Sequence, residues 1–223
     1  MKVEIWSDVV CPFCYVGKRR FERAMATFPN ADEVEVVWRS FQLDPDAPRR
    51  SPGTLEERLA AKYGLSLEQA RQMNANVVAM SEGEGLEVRL DLAKPGNTFD
   101  AHRLIHLAAD HGLQAEAKER LLRAYWVEGR AIGEPETLID LAEELGLDAA
   151  EARTVLEGDA YATAVRHDEN EARAFGIQGV PFFVLDRAYG VSGAQEASVF
   201  ERALRQAWSE VQHARSDAPS SRS

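Results

Sequence analysis

Cysteine is almost missing from this chain: there are two in 223 residues, Cys11 and Cys14, both in one short segment. That scarcity excludes a disulfide framework, which would spread cysteines along the sequence to close long loops. A chain of this length buries a core without covalent staples. Also missing is any apolar run approaching the roughly 20 residues of a membrane-spanning helix, so no membrane partner is expected. The N-terminus "MKVEIWSDVV" lacks a basic start, a long apolar stretch and a small-residue cleavage site, and on that ground the cytoplasm is the expected compartment. Positive charge is in deficit too. Only 26 Lys and Arg stand against 37 acidic residues, a formal charge of -11 that repels a phosphate backbone and argues against nucleic acid.

What is present begins with "SDVVCPFCYVGKRRF", residues 7–21, where the two cysteines lie three positions apart. Val3 and Ile5 alternate with polar neighbours ahead of Trp6, which reads as a strand over residues 2–7. Apolar residues then return at Cys14, Phe21, Met25 and Phe28 with helical spacing, and Pro12 suits the first helical position. "EVEVVWRSFQL" (33–43) reads as a second strand, completing a βαβ unit. The loop "DPDAPRRSPG" breaks the pattern, and capping-box pairs Thr54/Glu57 and Ser66/Gln69 open helices over 55–64 and 67–82. Further helices fit 98–112, 114–129, 135–145, 149–157 and 160–175. Strand character returns in "VPFFVLD" (180–186) and "YGVSG", a short hairpin, before a last helix over 199–211.

The order is β-α-β, a helical block, then α-β-β-α: an α/β, thioredoxin-like fold with a large helical insertion. Residues 1–43 and 176–212 are the expected core, 44–175 the insertion, and 213–223 a disordered tail with nothing to bury. Neither monomer nor homodimer is favoured by any feature of the sequence.

Cysteines at this spacing, at a helix start after the first strand, point to redox chemistry. With Cys11 at the N-cap, free backbone N–H groups and the helix dipole favour a thiolate there, so its pKa is expected to fall and Cys11 to be the nucleophile. Cys14, on the same face but further into the helix, is the natural resolving thiol. Three plainer readings compete. His102 and His106 could complete a zinc site, although His at i,i+4 is not a second Cys-x-x-Cys. The pair could be a structural disulfide, or two cysteines packed as small hydrophobes. No bound metal or cofactor is expected.

Three motifs in order, "SDVVCPFCYVGKRRFE", "NTFDAHRLIHLA" and "GVPFF", resemble the DsbA-like thioredoxin-fold oxidoreductases, in particular their FrnE-like branch, over residues 1 to about 212. The resemblance implies dithiol–disulfide exchange with protein or small-thiol substrates, Cys11 attacking, Cys14 resolving, and a cis-proline at Pro181 after Val180. Pro12 and Phe13 between the cysteines, with Val180 and Pro181, are the implied substrate-contacting residues. Phe13 departs from the pattern, where tryptophan is more usual. The resemblance also places the helix carrying His102 beside the cleft, making it a substrate-site candidate. Otherwise His102 and His106 read as the polar edge of a packed helix. Lys18, Arg19 and Arg20 read as a solvated face, or as cations drawing an anionic thiol such as glutathione to Cys11. Related families include glutathione-dependent 2-hydroxychromene-2-carboxylate isomerases and kappa-class transferases, which typically carry serine at the first reactive position. An isomerase is therefore the alternative function, and a non-catalytic binding module a further one. An open groove at Cys11 is expected for the oxidoreductase, an enclosed pocket for the isomerase.

Overall fold

The computed structural model describes residues 1 to 217. β1 (Lys2–Ser7) is followed by α1 (Pro12–Ala26) and β2 (Glu35–Ser40), then by seven helices in sequence. These are α2 (Leu55–Tyr63), α3 (Leu67–Gly83), α4 (Phe99–Asp110), α5 (Gln114–Trp126), α6 (Pro135–Glu144), α7 (Ala149–Glu157) and α8 (Ala162–Ala174). β3 (Phe182–Leu185), β4 (Tyr189–Ser192) and α9 (Ala197–Asp217) end the described chain. This is the thioredoxin-like α/β architecture with its helical insertion.

The sheet has the order β2-β1-β3-β4, with β1 parallel to β2 and antiparallel to β3. Alternation along β1 sorts its side chains between two faces. Val3 and Ile5 join Phe183 and Leu185 in the main core, where Phe21 of α1 and Phe200 of α9 meet Phe183 at ring distances of 5.4 and 4.5 Å. Trp6 faces the opposite side with Val184 and Ala172 of α8, and its indole N–H donates to Asp168 O. The main core continues without a break into Leu104, Leu107, Leu121, Leu138 and Val155 of the helical segment. Sheet and insertion therefore share one apolar interior.

Both expected capping boxes form, Thr54 and Ser66 each accepting from the N–H three residues on. Such caps contribute about 1 kcal/mol each. One boundary differs from expectation. α9 continues through residues expected in the disordered tail and is helical as far as the described residues run, to Asp217, because extending an established helix fixes one residue per hydrogen bond gained. Residues 218–223 of the expected tail lie outside the described residues.

Candidate active site

After β1 the chain turns through Asp8, and Cys11 takes the N-cap of α1 in an extended conformation, φ -99° and ψ 112°. Pro12 follows at the first helical position, where its missing N–H costs nothing. The Cys14 N–H donates to Cys11 O at 3.1 Å, closing the first turn with both side chains on one face. Both are free thiols and both are buried, 3% and 1% exposed. Cys11 Sγ donates to Val180 O at 3.4 Å, and the Val180–Pro181 peptide bond is cis. Gly17 lets α1 approach this loop: a Cβ there would stand 2.9 Å from Pro181 Cγ.

Behind the cysteines lies a dehydrated polar layer. Lys118 of α5, 1% exposed, donates to Ser7 O at 3.3 Å. Asp8 is fully buried, accepts from Leu43 N at 2.8 Å, and faces His102 Nε2 at 3.3 Å. Burial raises the Cys14 thiol, but the hydrogen bond from Cys11 and the Lys118 ammonium outweigh it and hold Cys14 below the ordinary thiol range. The Cys11 thiol is pushed well up by its hydrogen bond to Cys14, by burial and by the neighbouring negative charge. This reverses the expected lowering at Cys11. The Cys14 N–H does favour a Cys11 thiolate, yet one helix-end donor is outweighed once the sulfur is dehydrated beside a second thiol nearer the ammonium.

Cys11 forms part of the floor of a pocket of roughly 480 Å³. Val10, Pro12 and Phe13 surround it, with Tyr125 and Trp126 at the end of α5. Leu43, Pro45 and Ala47 of the loop after β2 make one wall, Leu55, Arg58, Leu59, Lys62 and Tyr63 of α2 another, and Met73, Asn74 and Val77 of α3 a third. At the rim, Phe13 is 41% and Tyr63 58% exposed. The expected open groove is thus a walled pocket with its sulfur at the base, because α2, α3 and the loop stand around it.

Asn97 fixes the loop wall. Its Nδ2 donates to Pro45 O and Ala47 O, both at 2.9 Å, while its Oδ1 accepts from Phe99 N at 2.8 Å and Gln42 Nε2 at 3.1 Å. The same loop is seated between two glycines: a Cβ on Gly96 or Gly133 would stand 2.2 or 2.0 Å from Arg49 O.

Several expected residues lie elsewhere. His102 is fully buried and does not line the pocket, because it lies among the seven buried residues of α4 and its ring meets Asp8. His106 meets a different carboxylate, its Nε2 3.1 Å from Asp168 Oδ2, so the two histidines do not converge. Lys18, Arg19 and Arg20 are no free cationic face. Lys18 and Arg19 pair with Glu22 and Glu119, and Arg20 with Glu84 and Glu196. Val180 and Pro181 flank Cys11 but stay outside the pocket. Conversely, sequence patterning singles out none of Asp8, Arg58, Lys62 and Lys118. Only Asp8 had a usable signal, an acid between a strand end and the cysteines.

Residues 2–205 match the family model of the DSBA-like thioredoxin domain. The chain belongs to the DsbA-like thioredoxin family. A probable DsbA oxidoreductase, SCO1869 from Streptomyces coelicolor, is 51% identical and superposes with a TM-score of 0.90, over 94% of this chain and 91% of that one. YwbO of Bacillus subtilis (strain 168) is 31% identical over 208 residues, 91% of this chain and 94% of its own. A 2-hydroxychromene-2-carboxylate isomerase shares the fold at 15% identity, with a TM-score of 0.71 over 96% and 98% of the two chains. Membership in this DsbA-like family of thiol oxidoreductases agrees with two free thiols meeting at a helix start. Among the described residues no helix is long and apolar enough to cross a membrane.

Proposed function

We propose that the protein exchanges disulfides with protein or small-thiol substrates, Cys11 attacking and Cys14 resolving. The observation that carries this reading is the order of the sulfurs: Cys11 reaches the pocket floor, and Cys14 lies behind it within the influence of Lys118. The proton passes from Cys11 to Cys14 along their hydrogen bond, leaving Cys11 as the thiolate that attacks a substrate disulfide. One S–S bond forms as another breaks, and the first substrate thiolate leaves with the proton. Cys14, a thiolate again beside the ammonium, attacks Cys11 Sγ and expels the second substrate thiolate, which takes its proton from water. The pair has lost two electrons and the substrate has gained them.

The reverse sequence oxidises dithiols, and the pair's reduction potential sets the direction. This reading needs no bound cofactor, takes glutathione as a candidate exchange partner, and places the enzyme in the cytoplasm, where such thiols are kept reduced. Insulin reduction and oxidative refolding assays test it. Cys11→Ser abolishes both activities, and a variant that keeps full activity refutes the assignment.

The walled apolar pocket favours a second reading, a glutathione-dependent isomerase, in which Cys14 has no role. Cys14→Ser separates the two. As an oxidoreductase it accumulates mixed disulfides on non-reducing gels. As an isomerase it keeps the parent's rate with glutathione and an aromatic isomerisation substrate.

A further inference from the structure

Resting on the oxidoreductase reading, the geometry points to a substrate class: low-molecular-weight disulfides with an apolar, ring-sized body and a carboxylate, taken in preference to glutathione disulfide or polypeptides. The first support is α2. None of its nine residues is fully buried, and its main packing partner is α3. Leu55, Leu59 and Tyr63, spaced four apart on one helix face, turn to the pocket. That apolar face is completed only when something apolar fills the space beside Cys11. The volume, roughly 480 Å³, is that of a small-molecule site.

The second support is how few polar groups the walls offer. Among the lining side chains only Asp44, Arg58, Lys62 and Asn74 carry ionic or amide groups. Glutathione disulfide brings four carboxylates, two ammonium groups and four amides, and those left unpaired inside an apolar wall count against binding. The charge that does face the pocket is positive on balance. Arg58 pairs with Asp44 at 3.2 Å, and Lys62, one turn further along α2 with its ammonium 5.8 Å from the Tyr63 ring centre, adds a cation that meets no carboxylate among the described residues. On a chain of formal charge -11, this local surplus singles out an anion. A polypeptide needs an open edge at the sulfur, whereas Cys11 is 3% exposed within a walled pocket.

Reduction of such a disulfide yields two thiols and the Cys11–Cys14 disulfide, and an external dithiol reductant returns the pair to its reduced state. The test follows oxidation of the reduced protein by 4,4′-dithiodibenzoate, its neutral diamide, glutathione disulfide, bis(2-hydroxyethyl) disulfide and insulin. Each rate is divided by that disulfide's rate with dithiothreitol, which removes intrinsic reactivity. Dithiodibenzoate is expected to saturate and to exceed glutathione disulfide and bis(2-hydroxyethyl) disulfide by about tenfold or more, as burial of one ring implies. Arg58→Gln and Lys62→Gln each lower the ratio of dibenzoate to diamide about two- to fivefold, the range for exposed charge pairs. Equal normalised rates across the set, a faster reaction with insulin or glutathione disulfide, or an unchanged ratio in both variants overturns the proposal. If no disulfide oxidises the pair at all, the oxidoreductase reading itself falls, an outcome distinct from lost selectivity.

Discussion

Asn97→Ala removes four hydrogen bonds at once, two donated to the pocket-wall carbonyls of Pro45 and Ala47 and two accepted from Phe99 N and Gln42 Nε2. A typical bond contributes about 1 kcal/mol net, and an acceptor left dry costs more. Some of these groups reach solvent, so water recovers part of the loss and the expected destabilisation is about 2–3 kcal/mol. For a domain of this size that lowers Tm by about 5–10 °C. The wall carrying Leu43, Pro45 and Ala47 loosens, so kcat/KM for a disulfide that fills the pocket falls about tenfold, mainly through KM. The second-order rate of Cys11 with a small alkylating reagent does not fall, because that reagent needs no wall. Asn97→Asp keeps both accepted bonds but sets a carboxylate against two carbonyl oxygens, and is expected to be no better than alanine. Calorimetry with paired steady-state and alkylation kinetics measures all of this. An Asn97→Ala protein with unchanged Tm and unchanged KM refutes the reasoning and leaves the Gly96 and Gly133 seat as the whole of what holds the loop.

Three further outcomes follow from the buried layer and its surroundings. Lys118→Met removes the ammonium that favours the Cys14 thiolate, so the alkylation profile of the pair moves to higher pH and the rate at pH 7 falls about tenfold; an unmoved profile counts against the electrostatic role. Burial raises the Asp8 carboxyl, but His102, the Leu43 N–H and Lys118 more than offset it, leaving its pKa below 3.8. A depressed folded-state carboxyl adds stability that is fully present above the unfolded value and is lost as pH falls through the folded one, so Asp8→Asn flattens the urea-midpoint profile below about pH 4. If the parent and variant profiles run parallel there, Asp8 is not the group responsible. Gly17→Ala forces a methyl against the Pro181 ring and costs about 1–3 kcal/mol by denaturant titration; an unaffected variant shows that the loop yields without strain.

The elements were legible where their signals are local. Alternation in β1, Pro12 after Cys11, and the boxes at Thr54 and Ser66 each act within a few residues, and the strand and helix starts fall at or near the expected places. β2 is shorter than expected. Its pairing with β1 stops at Ser40, and Leu43 N–H is taken by Asp8 instead of a neighbouring strand. The polar layer could not be read at all. Lys118 sits in "AEAKERLL", an ordinary solvated-looking helix pattern, and meets the cysteines only because α5 packs across β2. Periodicity counts imidazole as polar and so puts His102 at the helix's polar edge, whereas a buried carboxylate makes it an interior residue. Nearness in sequence makes Lys18, Arg19 and Arg20 either a solvated face or cations for an anionic thiol at Cys11. The fold commits those cations to Glu22, Glu84 and Glu119 and brings α2 to the site from some forty positions away.

A single apolar interior running from the sheet into the insertion leaves no seam at which two rigid bodies could part. Opening must then come from whatever is least anchored, and α2 is that element: α4 buries seven residues, α2 none. Local stability follows buried contacts, so the amide protons of α2 exchange early and those of α4 close to the global limit. The α2 wall of the Cys11 pocket is therefore the side expected to loosen first. The Thr54 cap thus bears on the local stability of a pocket wall without touching either sulfur.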